Sequence, residues 1–393
     1  MPNIEASPPP LSLLQLFLRF LRFGFFAFGG PVAQIAMVRH ALVEEERWIS
    51  PVRFNRLLAV MQILPGPEAH ELCVHLGMVA RGRIGGLLAG LGFMLPGFVL
   101  MLGAAWLYTD WIVGNAAMAP VFLGVQIAVL AIILRAVQRI GAHILEDKLL
   151  WLLAAAALGA TLAGVPFWIP LIAAGLIYSF AARPAAAAAV FVAAALLAFV
   201  VSNAAPASAI TVAASEAGIV ALFLAGLKGG LLTFGGAYTA IPYVRTDTVG
   251  RGWLSDASFL DGVALAGMLP APLVIFATFA GYVAGGFPGA VAITVGMFLP
   301  AFAFSMIFFE RLEAVVENPA LHRLLGGVAA AVVGVIAATL LQLGWATALR
   351  VSNPSAGLVI FIAAVAAVML VKGKWAAPLL VIAAGIAGWL LHP

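Results

Sequence analysis

Long apolar runs separated by short polar loops fill this sequence from residue 11 onward. A run of roughly 17 to 25 apolar residues has the length of an α-helix that crosses a bilayer. Runs such as 152–160 and 190–201 are apolar on every face, whereas the strands of a membrane barrel alternate. The pattern predicts an all-α polytopic membrane protein with about thirteen segments. They lie near 11–38, 54–80, 84–108, 118–137, 149–164, 167–182, 185–202, 216–243, 257–284, 287–309, 324–345, 355–371 and 375–391.

The composition agrees with this prediction. Hydrophobic residues make up 64% of the chain, charged residues 9%, and the mean hydropathy is +1.13, which excludes an ordinary soluble domain and a disordered chain. The first ten residues carry no basic group, so we expect no cleavable signal peptide. The net charge of +4 comes from basic residues scattered through short loops, which indicates membrane orientation rather than nucleic-acid binding.

The chain also contains an internal repeat. Phe28-Gly29-Gly30 matches Phe234-Gly235-Gly236 at an offset of 206 positions, and the Leu-Pro-x-Pro runs that begin at Leu64 and Leu269 match at 205. Glycines and a Leu-Pro pair match at an offset of 204, namely Gly77 with Gly281, Gly92 with Gly296 and Leu95-Pro96 with Leu299-Pro300. This order predicts two related halves. The predicted boundaries are an N-terminal repeat with one extra helix over 1–203, a linker over 204–215 and a C-terminal repeat over 216–393.

Basic residues in the loops orient the two halves. If each segment crosses the membrane in turn, Arg81, Arg83, Arg245 and Arg251 fall on one side, which the positive-inside rule makes cytoplasmic. Arg350 is then an exception on the outside. The loop that matches Arg81-Gly82-Arg83 in the second half lies on the opposite side, so we predict inverted-topology repeats. Such repeats, built from interrupted helices, place a substrate site near the membrane midplane between the halves.

The interruptions are the candidate permeation site. Proline stops or kinks a helix, and glycine lets the backbone approach a ligand closely. The free N–H groups that start the next half-helix attract an anion, although Gly-Gly also serves plain close packing in membrane helices. Irregular backbone at membrane depth is tolerated where protein or a water-filled cavity surrounds it. The candidate substrate-binding residues at the breaks are Gly29, Gly30, Pro31, Pro65, Gly66, Pro67, Gly235, Gly236, Pro270 and Pro272.

Two basic residues stand six positions ahead of the Phe-Gly-Gly breaks, Arg22 in the first half and Lys228 in the second. A charge inside an apolar span is costly and by default suggests function. Because the two are related by the repeat, we predict that they hold a dianion between them. The alternative is that each side chain extends from a helix end to the membrane interface.

Glu68, Glu71 and His75 follow Pro67 at spacings that place them on one helix face. Buried carboxylates near one another exchange protons near neutral pH, and a histidine assists such exchange. These three residues are therefore the candidate proton-coupling group. The alternative is that they are merely solvated near the cytoplasmic surface.

Arg56 and Asp261 occupy equivalent positions in the two halves, ahead of the Leu-Pro-x-Pro runs. We predict that they approach each other and form a structural ion pair or gate, because an unpaired buried charge is expensive.

No enzymatic centre is predicted. His70 and His75 are five residues apart, whereas a zinc metalloprotease helix needs four, so an intramembrane metalloenzyme is the weakest alternative, and neither metal nor cofactor is expected. Aromatic residues near segment ends, Tyr108 among them, are interpreted as interface anchors.

Phe28-Gly29-Gly30-Pro31, Leu64-Pro65-Gly66-Pro67 and Gly92-Phe93-Met94-Leu95-Pro96, with their echoes in the second half, resemble the long-chain chromate ion transporter family. The resemblance covers essentially the whole chain. It implies export of chromate, a sulfate-like tetrahedral dianion, by antiport with protons across the inner cell membrane. The alternative on the same scaffold is an oxyanion channel or a sulfate-type anion transporter. A homodimer is a further expectation.

Overall fold

The computed structural model describes residues 8–61, 66–204, 217–233, 237–307, 319–371, 373 and 375–391. Within these ranges the regular structure is helical, without strands. The first half contains α1 Leu13–Phe25, α2 Gly30–Arg39, α3 Pro51–Met61, α4 Glu68–Leu107, α5 Ala119–Ile144, α6 Lys148–Leu162, α7 Trp168–Ser179 and α8 Pro184–Ala204. The second half contains α9 Ile219–Leu231, α10 Ile241–Thr248, α11 Asp256–Met268, α12 Phe276–Ile307, α13 Pro319–Ala348, α14 Pro354–Leu370 and α15 Ala376–Leu391.

The predicted interruptions are present where the structure describes them. α1 ends at Phe25 and α2 begins at Gly30, with Pro31 in its first turn. Pro67 is the N-cap residue of α4 rather than its first helical residue. The predicted linker falls almost wholly outside the described residues.

The short helices α9 and α10 form a reversing pair. α10 packs back against α9, because Lys228 Nζ lies 2.8 Å from Asp247 Oδ2 and a side chain on Gly229 would contact Val244. Helices of this length extend about 12 to 20 Å, whereas a bilayer core is about 30 Å thick. The segment predicted as a single span near 216–243 is therefore a pair of short helices.

The first half has the same kind of reversal after α1. The chain returns along α1, since Arg19 pairs with Glu46 and the Phe20 ring lies 6.3 Å from that of Trp48. The span predicted near 11–38 is therefore also a reversing pair.

α4 and α12 are tight helical hairpins. Gly82 and Gly286 have φ of 62° and 63°, the left-handed region that favours glycine, at matched positions in the two halves. A side chain on Gly85 would overlap the carbonyl oxygen of Gly77, which an uninterrupted helix would hold about 12 Å away. The chain therefore reverses at residue 82, and a short arm over 68–80 packs against a long arm over 83–107.

The described residues include five helical stretches that are long and apolar enough to cross a membrane: Glu68–Ile112, Ala119–Ile144, Pro184–Val201, Leu273–Ile307 and Arg323–Ala348. The first and fourth contain the hairpin turns, so only their long arms have the length of one crossing. The chain is thus an all-α, multi-pass membrane protein.

Outside the apolar helices, Asp147 joins two neighbouring elements. Its carboxylate caps α6 by accepting a hydrogen bond from the Leu150 N–H at 2.8 Å, and it also accepts one from the Tyr178 hydroxyl at 2.9 Å. The backbone bond holds the pKa of Asp147 below its ordinary value, because it favours the ionised form.

Glycine packing ties the entering helix of each half to its hairpin in the same way. A side chain on Gly92 would meet the backbone of Phe17 and Leu21, and one on Gly296 would meet the backbone of Phe223 and Leu227. Both pairs match at the repeat offsets. The missing side chains let the helix backbones touch, which fixes the position of each hairpin.

We expect Gly92→Leu to destabilise the protein by about 1 to 3 kcal/mol, since the new side chain must displace the α1 backbone. Gly103→Leu is the matched control on the same helix, because a side chain at Gly103 meets no atom within 4 Å. Thermal unfolding of purified protein, followed by tryptophan fluorescence, measures both. Equal stability of the two variants would contradict the packing described here.

Candidate functional site

The breaks of the two halves contact one another crosswise. The Gly66 N–H, in the Leu-Pro-Gly-Pro run of the first half, donates to the Thr233 carbonyl oxygen beside the Gly-Gly break of the second half at 2.8 Å. The Gln34 Nε2, on α2, donates to the Ala271 carbonyl oxygen in the second Leu-Pro-Ala-Pro run, also at 2.8 Å. Irregular backbone of each half is therefore satisfied by the other half, as structure at membrane depth requires.

Gln34 also holds its own break in place. Its amide donates a second bond to the Ala27 carbonyl oxygen at 2.8 Å, so one buried side chain joins the end of α1 to the opposite half. The sequence analysis missed Gln34. The signal that the sequence offers is a lone amide in an apolar segment. In the structure this side chain is 1% exposed.

A small cavity of about 60 Å³ lies at the N-terminus of α2. Its walls come from the Gly29-Gly30 break, from Tyr238 and from Leu269 and Ala271 in the opposite half, together with apolar residues of α5 and α11. Gly29 and Gly30 have φ of 87° and 76°, and a side chain at Gly30 would meet no atom within 4 Å. No side chain caps the N-terminus of α2, which borders this cavity, and an uncapped helix N-terminus favours an anion.

The predicted basic pair lies in equivalent last turns, Arg22 in α1 and Lys228 in α9. Lys228 forms an ion pair with Asp247, and its Nζ lies 4.5 Å from the centre of the Phe167 ring. Arg22 is exposed and has no ion-pair partner among the described residues. The sequence analysis missed Asp247, whose equivalent in the first half is Ala41, so the repeat carries no signal for it.

Glu68, Glu71 and His75 lie at the start of the short arm of α4 and are buried, at 8%, 0% and 2% exposure. The interpretation of these groups as solvated charges is therefore wrong, because the short arm packs inside the protein. Both Glu71 carboxyl oxygens have no hydrogen-bond partner in the described part of the chain, and a side chain at Gly66 would overlap one of them. The acidic face is thus in contact with the break.

The His70 side chain also lies inside the protein. It is fully buried and packs edge-on against Phe298 and Phe302 of α12, at 5.0 and 4.7 Å between ring centres. The short arm of α4 is therefore in contact with the opposite half on this side as well.

Asp261 has partners that the sequence analysis did not expect. Its two carboxyl oxygens accept hydrogen bonds from the Tyr108 hydroxyl and the Gln126 amide, both at 2.7 Å. The side chain of Arg56 lies outside the described residues. The interpretation of Tyr108 as an interface anchor is wrong, since it is 5% exposed and bonded to a buried carboxylate.

Three of the predicted break residues, Pro65, Gly235 and Gly236, lie outside the described residues. Pro270 and Pro272 flank Ala271, whose carbonyl oxygen accepts from Gln34. Pro272 is the N-cap residue of a short 3-10 turn, Leu273–Ile275, that leads into α12.

These features define a class: an all-α membrane protein with an internal sequence repeat, whose described helix breaks contact one another, with a small cavity beside the Gly29-Gly30 break. The comparison with known proteins identifies the family. The family model described as "Chromate transporter" matches residues 14–180 and 220–389. The chain belongs to this family, whose members are transport proteins rather than enzymes.

Three relatives cover most of the chain. The chromate transport protein of Pseudomonas aeruginosa is 58% identical over 99% of this chain and 95% of its own length. That of Cupriavidus metallidurans is 31% identical over 98% of this chain and 94% of its own. A probable chromate transport protein of Synechococcus elongatus is 32% identical over 86% of each chain. No solved structure matches this chain.

We expect Gln34→Leu to destabilise the protein by about 1 to 3 kcal/mol for each carbonyl left without a partner. Gln138→Leu is the control, because Gln138 is exposed and bonds only a neighbouring arginine on its own helix. Thermal unfolding again reports the difference. A Gln34→Leu protein as stable as the control would mean that the crosswise contact contributes nothing.

Proposed function

We propose that this protein is a secondary active transporter that exports chromate, or a related tetrahedral oxyanion, from the cytoplasm in exchange for protons. The crosswise contact between the helix breaks carries the proposal, since it surrounds irregular backbone and free helix N-termini with protein from both halves. The names of the relatives supply the substrate. The inner membrane, where a proton gradient is available, is the proposed location.

Contacts between the halves support inverted topology. The far end of α4, at Tyr108, meets Asp261 near the start of α11, and a side chain on Gly97 would overlap Ala271 at the second break. The first hairpin therefore ends on the side from which α11 enters. Arg135 of α5 contacts Met369 at the end of α14 at 3.1 Å, which fits the same arrangement.

The reversing helices change the assignment of the loop charges. Arg245 binds Asp256, and Asp256 and Arg350 line the same recess, so these loops share one side. Threading every apolar segment across the membrane had put Arg245 opposite Arg350, because the sequence does not distinguish a crossing from a reversal. Arg81 and Arg83 then lie on the other side, with the larger share of basic loop residues, which the positive-inside rule makes cytoplasmic.

In this arrangement the anion binds at mid-depth. Arg22 and Lys228 stand in the last turns of helices that enter from opposite sides, each just before a break. The cavity at the N-terminus of α2 adds backbone N–H groups. Arg22 supplies positive charge, while the charge of Lys228 is shared with Asp247.

Glu68, Glu71 and His75 carry the coupling proton in this proposal. They begin the short arm of α4 directly after the first break, so a change in their charge acts on the break itself. Arg139 of α5 interacts electrostatically with Glu68, whereas Glu71 has no hydrogen-bonding partner in the described residues. A buried carboxyl without a partner destabilises the protein, so its presence suggests a function.

We expect inside-out membrane vesicles with an acidic lumen to accumulate labelled chromate against its gradient, and a protonophore to abolish the accumulation. Glu71→Gln should lose this uphill uptake by about tenfold or more, because the proton has lost its carrier, and should keep chromate-for-chromate exchange. Glu146→Gln, in an exposed loop, is the control. Accumulation that follows membrane potential alone would indicate the channel alternative, and full uphill uptake by Glu71→Gln would remove the proton assignment.

A second test concerns Lys228. We expect Lys228→Met to lose chromate transport, and the double variant Lys228→Met/Asp247→Asn to remain inactive, because the lost charge serves the anion. If Lys228 served only its ion pair, removing both charges would restore transport, because the buried Asp247 carboxylate would otherwise keep only the more distant Arg251, at 3.7 Å, as a partner. Chromate uptake and thermal stability of both variants distinguish the two roles.

A further inference from the structure

A hydrogen-bonded network surrounds the Asp261 carboxylate, far along the chain from the acidic face of α4. Asp261 is 3% exposed; Oδ2 accepts from the Tyr108 hydroxyl and Oδ1 accepts from the Gln126 amide. The Gln126 oxygen in turn accepts from Arg350 Nη1 at 2.7 Å. The network thus joins four elements: the end of α4, α5, α11 and the loop after α13.

Hydroxyl groups continue the network outward from Tyr108. The Ser258 hydroxyl, one turn before Asp261 on α11, lies within reach of a side-chain hydrogen bond to the Tyr108 hydroxyl. Ser258 Oγ is 3.0 Å from Ser255 Oγ. Tyr108 has one hydroxyl hydrogen, which Asp261 accepts, so Ser258 is the donor to Tyr108. The hydroxyls of Ser255, Ser258 and Tyr108 thus form a row that leads from the surface toward the buried carboxylate.

The outer end of this chain is open. Ser255 is exposed and lines a recess of about 350 Å³ together with Arg350 and Thr347. A recess of this size holds many water molecules. Protons can therefore reach Ser255 from water, while Asp261 itself stays buried.

The charged groups around Asp261 are few. Among the described residues, the charged group that acts on its carboxylate is Arg350 from the loop after α13, and the neutral groups are Tyr108 from the end of α4 and Gln126 from α5. Asp256, at the first turn of α11, is held by Arg245 through two hydrogen bonds of 2.7 and 3.1 Å. The recess thus carries a paired carboxylate near its surface and one buried carboxylate at the end of the hydroxyl chain.

We infer that Ser255, Ser258 and Tyr108 form a proton relay that loads Asp261 from this recess, which gives the second half a proton-binding carboxyl of its own. The inference rests on the proposed proton coupling and adds a second site to it. In one transfer, a hydronium ion in the recess gives a proton to Ser255 and becomes water, Ser255 gives one to Ser258, Ser258 gives one to Tyr108, and Tyr108 gives its proton to Asp261 Oδ2. Each hydroxyl loses one proton and gains one, so one proton moves inward in total.

Protonation of Asp261 changes the electrostatic interactions of α11 with its neighbours. The ionised carboxylate attracts Arg350 through Gln126, and a neutral carboxyl does not. Val263 and Ala264, on the next turn of α11, line the cavity at the Gly29-Gly30 break. A shift of α11 on protonation would therefore reach the proposed anion site directly.

The competing explanation is that the network only fastens four helices together. A purely structural network should lose stability and all transport modes together when it is cut. A relay should lose proton-driven transport while exchange without a proton gradient continues.

We expect Asp261→Asn to lose proton-driven chromate accumulation by about tenfold or more and to keep chromate-for-chromate exchange within about threefold. Tyr108→Phe should slow proton-driven uptake by on the order of tenfold and shift its pH dependence, because the hydroxyl chain is cut. Tyr243→Phe is the matched control, since that buried hydroxyl has no partner among the described residues. If Asp261→Asn does not fold, Ser258→Ala cuts the chain without touching the carboxyl.

Uphill accumulation retained by Asp261→Asn, or equal behaviour of Tyr108→Phe and Tyr243→Phe, would overturn the relay. A parallel fall of exchange, uphill uptake and thermal stability would show the structural role instead.

Infrared difference spectra of the purified protein between about pH 4 and pH 9 give a readout that needs no chromate. A carboxyl band that titrates in wild type and is lost in Asp261→Asn supports the relay, and its absence from wild type overturns it. Failure of wild type to accumulate chromate would overturn only the proposed substrate or coupling.

Discussion

The architecture depends on one constraint: backbone that leaves the helical hydrogen-bond pattern at membrane depth must find partners within the protein. Each half interrupts its helices at glycines and prolines, and the described breaks find partners in the opposite half. Gly66 donates to Thr233, and Gln34 donates to Ala271. Neither half is complete without the other in this respect, so the place where the two halves meet is also the place where the backbone can approach a ligand.

The sequence predicts those features of the fold that a residue type produces in its own stretch of backbone. Glycine and proline act on their own backbone, so the breaks, the repeat and the hairpin turns at Gly82 and Gly286 are all readable from order and spacing. Whether a segment crosses or reverses is a different matter. An apolar run of suitable length with a break in the middle has the same composition in both cases, and only packing such as that of Lys228 on Asp247 decides between them.

Polar partners were missed for a related reason. Each of three residues forms a hydrogen bond with a group more than a hundred positions away in the chain: Gln34, Gln126 and Tyr108. No local sequence pattern predicts such a contact. Tyr108 is an example of a residue whose position in the sequence suggests the wrong role. An aromatic residue at the end of an apolar span is typical of an interface anchor, but the packing of the helices brings this span end onto α11, where the Tyr108 hydroxyl donates to Asp261. The role of Tyr108 depends on how the helices are arranged in the fold, and the sequence of one segment does not specify that arrangement.

The contacts within each half differ from those at the breaks. Within each half, the entering helix and the hairpin meet backbone to backbone at glycines such as Gly92 and Gly296, so the pair is closely packed. Between the breaks, the described crosswise links are hydrogen bonds, each worth about 1 kcal/mol net. In the proposed transport cycle, hydrogen bonds of that size could be exchanged for others, but the close contacts of Gly97 with Ala271 and of His70 with Phe298 would have to change with them. Glu71 lies against one break, and Asp261 is on the helix that leads to another. In the proposed coupling, a proton on either carboxyl would therefore act close to the contacts between the halves.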